Sequence, residues 1–336
     1  MIVAGPVVLV RLPNWLGDTV MALPALAALR RALPDALIAL VGRWARLLDG
    51  QGVADAAVAY PSRLSSRWRL GGALRSWRPD SAVVMPNSLE SALAARRWGA
   101  RVRIGYDADL RGGLLTHTLP LPSPRRHQVE EYCALVEAGG AAAPPEPPRW
   151  RLARDPEAEG RVDRLLESLG GGSRPGGLVG LHLGAAFGSS KLWPPASFAD
   201  LAGRIESAGL TPVLLGAGAD AGTAAAVQAA AGRPLPSLVG RDAPEILPRL
   251  LARMTCLVSG DTGVAHLAAA VGTRTVTLFG PTDPGLTRPL GPRARALEGR
   301  APCAPCFLPR CPIEHPCMRG LGSDAVAGAV LDGRAA

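Results

Sequence analysis

The chain has 336 residues, enough for two domains of ordinary size, and 48% of them are apolar, so a substantial core can form. Its formal net charge is +9, which favours an anionic partner: nucleic acid, an anionic membrane or a phosphorylated substrate. No apolar run nears the roughly 20 residues of a membrane span. The opening Met-Ile-Val-Ala-Gly-Pro-Val-Val-Leu-Val-Arg has no basic leader, so it reads as a strand rather than a signal peptide, and a cytoplasmic protein is expected.

Residues 7–10 are a short β-rich run, followed by Arg11-Leu-Pro-Asn-Trp-Leu-Gly-Asp18. Residues 19–32 carry helical apolar spacing and stop before Pro34. Further strands are expected at 36–41, 54–60 and 82–85, with helical segments between them. Alternation of this kind predicts a parallel sheet covered on both faces. The first unit runs to about residue 140. Ala141-Ala-Ala-Pro-Pro-Glu-Pro-Pro148 then has the composition of a stiff connector.

Beyond a helix at 155–169 the alternation restarts. Strands are expected at 178–183, 211–215, 254–259 and 274–279, and helices at 195–207, 219–231 and 262–271. The expected domains are therefore 1–145 and 146–300, with a cysteine-rich tail and final helix over 301–336. Two α/β units of similar size form a cleft, and open α/β sheets bind ligands beyond the carboxyl ends of their strands.

Gly-Asp-Thr occurs at 17–19 and again at 260–262, each time between a strand and a helix. Both copies put a carboxylate and backbone N–H groups at a helix start. At the second copy, Gly260 and Gly263 let backbone approach a ligand, Thr262 adds a hydroxyl, and His266 lies one turn into the helix. That set suits a phosphate. It equally suits a plain capped helix with Asp261 as N-cap and a structural His266.

Lys191 is the only lysine, against 36 arginines. It follows the small-residue stretch His182-Leu-Gly-Ala-Ala-Phe-Gly-Ser-Ser190. An ammonium is a compact point charge, whereas a guanidinium is a wide planar fork, so the lysine suits a crowded diphosphate. Ser189 and Ser190 can donate hydrogen bonds beside it. Asp18, in the first Gly-Asp-Thr junction, can accept a proton from a hydroxyl nucleophile, and a helix start favours its ionised form.

Residues 61–126 hold twelve arginines against Asp80, Glu90, Asp107 and Asp109, a balance of +8. Near the carboxyl end, Cys303, Cys306, Cys311 and Cys317 cluster with His315 in a ligand-like spacing, so a structural zinc or iron–sulfur site is one reading. Cys133 and Cys256 read as buried thiols.

Three stretches together resemble the bacterial lipopolysaccharide heptosyltransferases of glycosyltransferase family 9. They are Arg11–Leu26, the loop 184–193, and Asp261-Thr-Gly-Val-Ala-His266 through Leu278-Phe-Gly-Pro-Thr-Asp-Pro284. Asn14-Trp15 and the cysteine tail are most similar to the heptosyltransferase II branch. The resemblance implies an α/β protein of the GT-B fold, with two Rossmann-like domains, an acceptor-binding one followed by a nucleotide-sugar-binding one. It implies inverting transfer of L-glycero-D-manno-heptose from ADP-heptose to heptosyl-Kdo2-lipid A in the inner core, without a required cofactor.

By the same resemblance Asp18 is the general base and Lys191 contacts the donor phosphates. Thr262, Gly263 and His266, next to Asp261, form the ADP-binding loop. Asp220, after Leu215-Gly-Ala-Gly-Ala219, stands near the acid used on the adenosine ribose. The basic stretch 61–126 would dock the phosphorylated glycolipid, with peripheral contact at the cytoplasmic face of the inner membrane and no nucleic-acid partner. Two alternatives remain open from sequence: a related enzyme for another nucleotide sugar, and a basic nucleic-acid-binding protein with a cysteine knuckle.

Overall fold

The computed structural model describes residues 1–170 and 176–332. The last four residues of the expected tail 301–336, and residues 171–175 of the expected second domain, lie outside them. The chain divides into two compact units, Met1–Arg151 and Leu152–Ala336.

In the first unit β1 (Val7–Arg11) leads into α1 (Leu16–Met21) and α2 (Leu23–Ala32), then β2 (Leu37–Gly42) and β3 (Ala56–Ala59). After them come α3 (Leu64–Ser76), β4 (Ser81–Val84), α4 (Leu89–Arg97), β5 (Val102–Asp107), β6 (His117–Pro120) and α5 (Gln128–Ala138). All strands are parallel in the order β3-β2-β1-β4-β5-β6. The central strands β1, β2 and β4 are buried along almost their whole length and are mostly apolar, because helices cover both faces. Leu9, Val41, Val84 and Trp98 sit in one buried cluster against Leu74 of α3 and Ala92 of α4.

The helix expected over 19–32 is two helices meeting at Ala22. Pro24 has no N–H to give the carbonyl four residues back, and it sits where a proline is tolerated, in the first turn of the second helix.

The second unit runs α6 (Pro156–Glu167), β7 (Leu178–His182), α7 (Pro195–Ser207), β8 (Thr211–Leu215), α8 (Ala221–Ala231) and α9 (Leu247–Ala252). It continues through β9 (Cys256–Gly260), α10 (Gly263–Val271), β10 (Arg274–Phe279), α11 (Pro284–Thr287), β11 (Ala294–Glu298), α12 (Pro316–Arg319) and α13 (Ser323–Leu331). Its parallel order is β11-β10-β9-β7-β8.

The segment after β11 is part of this unit's core. Cys317, Met318, Leu321 and Val326 pack in the same buried cluster as Val179, Leu181 and Val258, and α13 lies against α7. Trp193 locks the arrangement. Its indole N–H donates to the Leu321 carbonyl at 3.0 Å, and its ring meets Phe198 edge-on at 4.9 Å. Full burial of an aromatic side chain of this size stabilises by about 2–3 kcal/mol.

Candidate active site

In both sheets the first strand has neighbours reached by crossovers of opposite direction, β1 between β2 and β4 and β7 between β8 and β9. Such a switch point leaves a crevice at the carboxyl ends, where loops diverge to either side. Asp18, Lys191 and the Asp261–Thr262 pair follow β1, β7 and β9 at those ends.

In the second unit, β7 ends at His182 and its loop closes in a 3₁₀ turn, Ser189–Lys191. From that turn Lys191 crosses to the end of β9. Its Nζ donates to Asp261 Oδ2 at 2.5 Å and to the Asp261 carbonyl at 3.1 Å. The Thr282 hydroxyl donates to the same Oδ2 at 2.8 Å. The Lys191 and Asp261 side chains are only 10% and 7% exposed, and the ammonium lies 4.8 Å from the Phe187 ring centroid.

This geometry answers why the position carries a lysine. Two acceptors belong to one residue and an aromatic wall stands alongside, so a narrow head with three diverging donors fits where a planar fork does not.

Asp261 is not the N-cap of α10. Thr262 occupies that position with extended backbone, and its hydroxyl does not cap the helix. It instead lies 2.9 Å from Ser259 Oγ, which lies 3.2 Å from His182 Nδ1. Burial pushes His182 down to about 4, so the imidazole is neutral at working pH. The Ala265 amide donates to the Thr262 carbonyl at 3.1 Å, so the Gly263 and Val264 amides stand ahead of the first helical bond, and the helix dipole adds partial positive charge there. His266 is buried one turn into α10. Ser189 is exposed, while the Ser190 hydroxyl is enclosed and makes no hydrogen bond, with its amide donating to the Pro309 carbonyl at 3.2 Å.

Asp220 sits beside the end of β8, accepting the Ala217 amide at 2.8 Å. Two glycines make room for it. A Cβ on Gly184 would lie 2.5 Å from Asp220 Oδ2, and one on Gly216 (φ +155°) 2.9 Å from it. Sequence reading missed its neighbour Asp242, whose carboxyl burial holds up at about 6, helped by the Asp220 charge and opposed by hydrogen bonds from the Asp242 and Gly216 amides.

In the first unit Asp18 lies in the first turn of α1, whose N-cap is Trp15. The buried Tyr132 of α5 donates its hydroxyl to Asp18 Oδ1 at 3.5 Å, and burial, then the Asp18 charge, raises that phenol well above its usual range. The approach to α1 is fixed by the buried Arg11. Its guanidinium stacks 3.9 Å over Tyr60 and donates to Asn14 Oδ1 at 2.8 Å, while Trp44 Nε1 donates to the Asn14 carbonyl at 3.2 Å. Desolvation lowers the Arg11 pKa.

Much of the positive charge of 61–126 is committed internally. Arg111 is fully buried and donates to the Tyr106 carbonyl at 2.8 Å and to Ser91 Oγ at 3.0 Å, and desolvation lowers it to about 10. Arg101 pairs with Asp80, Arg125 with Glu131 and Arg67 with Glu90.

The cysteine cluster does not assemble as a ligand set. Among the described residues no three His, Cys, Asp or Glu side chains come together to hold a metal ion. Cys317 is drawn into the core, its sulfur packed where a Cβ on Gly280 would lie 2.9 Å away, whereas Cys303 is exposed. All six cysteines are free. Cys133 and Cys256 are buried, and desolvation pushes both thiols up to about 12.

The family model of glycosyltransferase family 9 (heptosyltransferase) matches residues 67–316, well over half of the chain. Lipopolysaccharide heptosyltransferase 2 of Escherichia coli K12 is 31% identical over 302 residues, which cover 85% of this chain and 86% of that one. The chain belongs to glycosyltransferase family 9.

Its relatives include lipopolysaccharide heptosyltransferase 2 of Salmonella typhimurium, 32% identical over the same shares. The solved structure of E. coli ADP-heptose lps heptosyltransferase II superposes with a TM-score of 0.80 at 26% identity, over 98% of this chain and 99% of that one. A family 9 structure from Veillonella parvula shares the fold, with a TM-score of 0.82 at 19% identity over 99% of each chain. This family 9 protein is thus a glycosyltransferase with the α/β architecture of the GT-B class. The reading as a nucleic-acid-binding protein with a cysteine knuckle is set aside, since neither the family nor the tail supports it. Among the described residues no helix is long and apolar enough to cross a membrane.

Proposed function

We propose that this enzyme moves L-glycero-D-manno-heptose from ADP-heptose to heptosyl-Kdo2-lipid A, the inner core of lipopolysaccharide, with inversion. It would work on the cytoplasmic side of the inner membrane and in contact with it. The observation that carries the reading is Lys191 held by Asp261 at the switch point of the second sheet, beside the open first turn of α10. It is supported by 31–32% identity, over 85% of the chain, to enzymes named lipopolysaccharide heptosyltransferase 2.

Asp18 takes the proton of the acceptor hydroxyl as that oxygen bonds to the anomeric carbon. The bond from that carbon to the diphosphate breaks, and ADP leaves with the electron pair. Lys191 meets the developing charge with its remaining N–H, together with the Gly263 and Val264 amides and the Thr262 hydroxyl. The His182–Ser259–Thr262 chain supports that last role. With the neutral ring protonated on Nδ1, His182 donates to Ser259 and Ser259 to Thr262, which leaves the Thr262 O–H to donate outward. Ser189, Ser190 and His266 line the same loops, Asp220 accepts a ribose hydroxyl, and the exposed arginines of 61–126 receive the phosphorylated glycolipid. The charge balance needs no metal cofactor. Mass-detected transfer to heptosyl-Kdo2-lipid A, with ADP-heptose run against UDP- and GDP-sugars, tests the reading. Transfer from another donor alone would overturn it.

A further inference from the structure

The first unit carries an exposed surface that its core does not explain. On α3, Leu64 is 74% exposed and Trp68 58%; on α4, Leu89 is 48% and Leu93 50% exposed. Each helix buries its other side, through Gly71 and Leu74 on α3 and through Ala92 and Ala95 on α4.

Two bridges tie the helices together. Arg67 of α3 pairs with Glu90 of α4 at 3.4 Å. Arg97 of α4 lies 3.1 Å over the centre of the Trp68 ring and donates to the Trp68 carbonyl at 3.1 Å. Leu93 falls between Glu90 and Arg97, and Leu64 is one turn before Trp68, so the bridges gather the apolar side chains of both helices on one paired face.

The rim is cationic. Arg63, Arg69, Arg75 and Arg96 are exposed. Glu90 is the sole carboxylate on either helix, and it is already engaged by Arg67 and by the Tyr60 hydroxyl.

We propose that the paired α3–α4 face docks on an anionic phospholipid bilayer. Leucine and tryptophan tips ringed by unpaired arginines match an interface that offers hydrocarbon beneath negative headgroups. A second copy of the chain would bring the same positive rim against itself. A nucleic acid would offer the arginines phosphate but leave Leu64, Leu89 and Leu93 without an apolar partner. The proposal names the surface behind the membrane contact in the function above, and rests on that reading only for the membrane's identity in the cell.

Vesicle flotation of the full chain tests it, with no acceptor or donor present. The chain should float with phosphatidylethanolamine vesicles containing about 30% phosphatidylglycerol and stay behind with pure phosphatidylcholine, since each arginine near an anionic surface strengthens binding roughly fivefold. Leu64→Ser with Leu93→Ser should lower partition about tenfold at an unchanged Tm, by removing apolar insertion. Arg63→Glu with Arg69→Glu should lower it further. The leucine variant should still transfer sugar to detergent-dispersed acceptor.

Equal flotation with both vesicle types would overturn the proposal, as would parental binding by the leucine variant, or retention on DNA without flotation. If vesicles bind but no heptose is transferred, the function fails and the docking surface stands.

Discussion

Lys191→Met separates the structural and chemical roles of the ammonium. The substitution keeps the length of the side chain and leaves the Asp261 carboxylate, 7% exposed, with Thr282 as its remaining side-chain partner. Removing one member of a buried ion pair typically costs about 3–5 kcal/mol, and the Thr282 hydroxyl places this case at about 3. For a unit of this size that lowers Tm by roughly 6–12 °C.

Lys191→Met with Asp261→Asn removes both charges and should recover stability to within about 1 kcal/mol of the parent. Transfer should not recover with it. The developing diphosphate charge would still lack its cation, and loss of one such donor lowers kcat about 10²-fold or more. Asp261→Asn alone, which keeps the ammonium, should retain more transfer than either variant lacking it. Lys191→Arg should restore only part, because the fork cannot reach both Asp261 oxygens beside Phe187. Calorimetry and steady-state kinetics on the four variants read both outcomes. Normal transfer by the double variant would refute a direct role for Lys191, and an unchanged Tm in Lys191→Met would refute the pair.

Asp18→Asn should abolish transfer while leaving ADP affinity, measured by calorimetry, within a few-fold, whereas substantial turnover would remove it as the base. His182→Leu should raise the donor KM about fivefold, the worth of one hydrogen bond, and His182→Asn, whose amide can donate from the Nδ1 position, should largely restore it; equal KM values for the two would dissolve the polarised chain. His182 titrates near 4 in the folded state against 6.5 unfolded, so stability is complete above pH 6.5 and falls as pH drops towards 4, because only the unfolded chain takes up the proton. Over that window denaturant titration should show about 3 kcal/mol of loss in the parent and a flatter profile in His182→Asn. Protein purified without added metal should contain less than a tenth of an equivalent of zinc or iron and keep its Tm in chelator (about 1 °C is the resolution that matters); stoichiometric metal would revive the cysteine site.

The central strands were legible because parallel strands buried on both faces are uninterrupted apolar runs between glycines and prolines. β2, Leu-Ile-Ala-Leu-Val-Gly, is such a run, and β1 is Val-Val-Leu-Val before its closing Arg11. The edge strands β6 and β11 were not, since His-Thr-Leu-Pro is mostly exposed, Ala-Arg-Ala-Leu-Glu is exposed or only half-buried, and neither carries an apolar period. β5 escaped notice because Arg103 and Gly105 break its pattern.

At the candidate site, the lone lysine and the repeated Gly-Asp-Thr pointed to segments that follow β1, β7 and β9. Their partners did not show, because contacts such as Thr282 to Asp261 or His182 to Ser259 join residues distant in sequence that only the strand order brings together. Asp242 gave no local signal at all. The cysteine spacing misled for a related reason. Spacing permits a ligand set, but Cys317 is buried in the core, where its sulfur fills space beside Gly280 as a small apolar side chain would.

The most direct measurement is single-turnover transfer by the parent enzyme, with ADP-heptose as donor, heptosyl-Kdo2-lipid A as acceptor and product followed by mass. The expected result is one added heptose and one equivalent of ADP, abolished in Asp18→Asn and slowed about 10²-fold in Lys191→Met. Product formed at the parental rate by both variants would contradict the account.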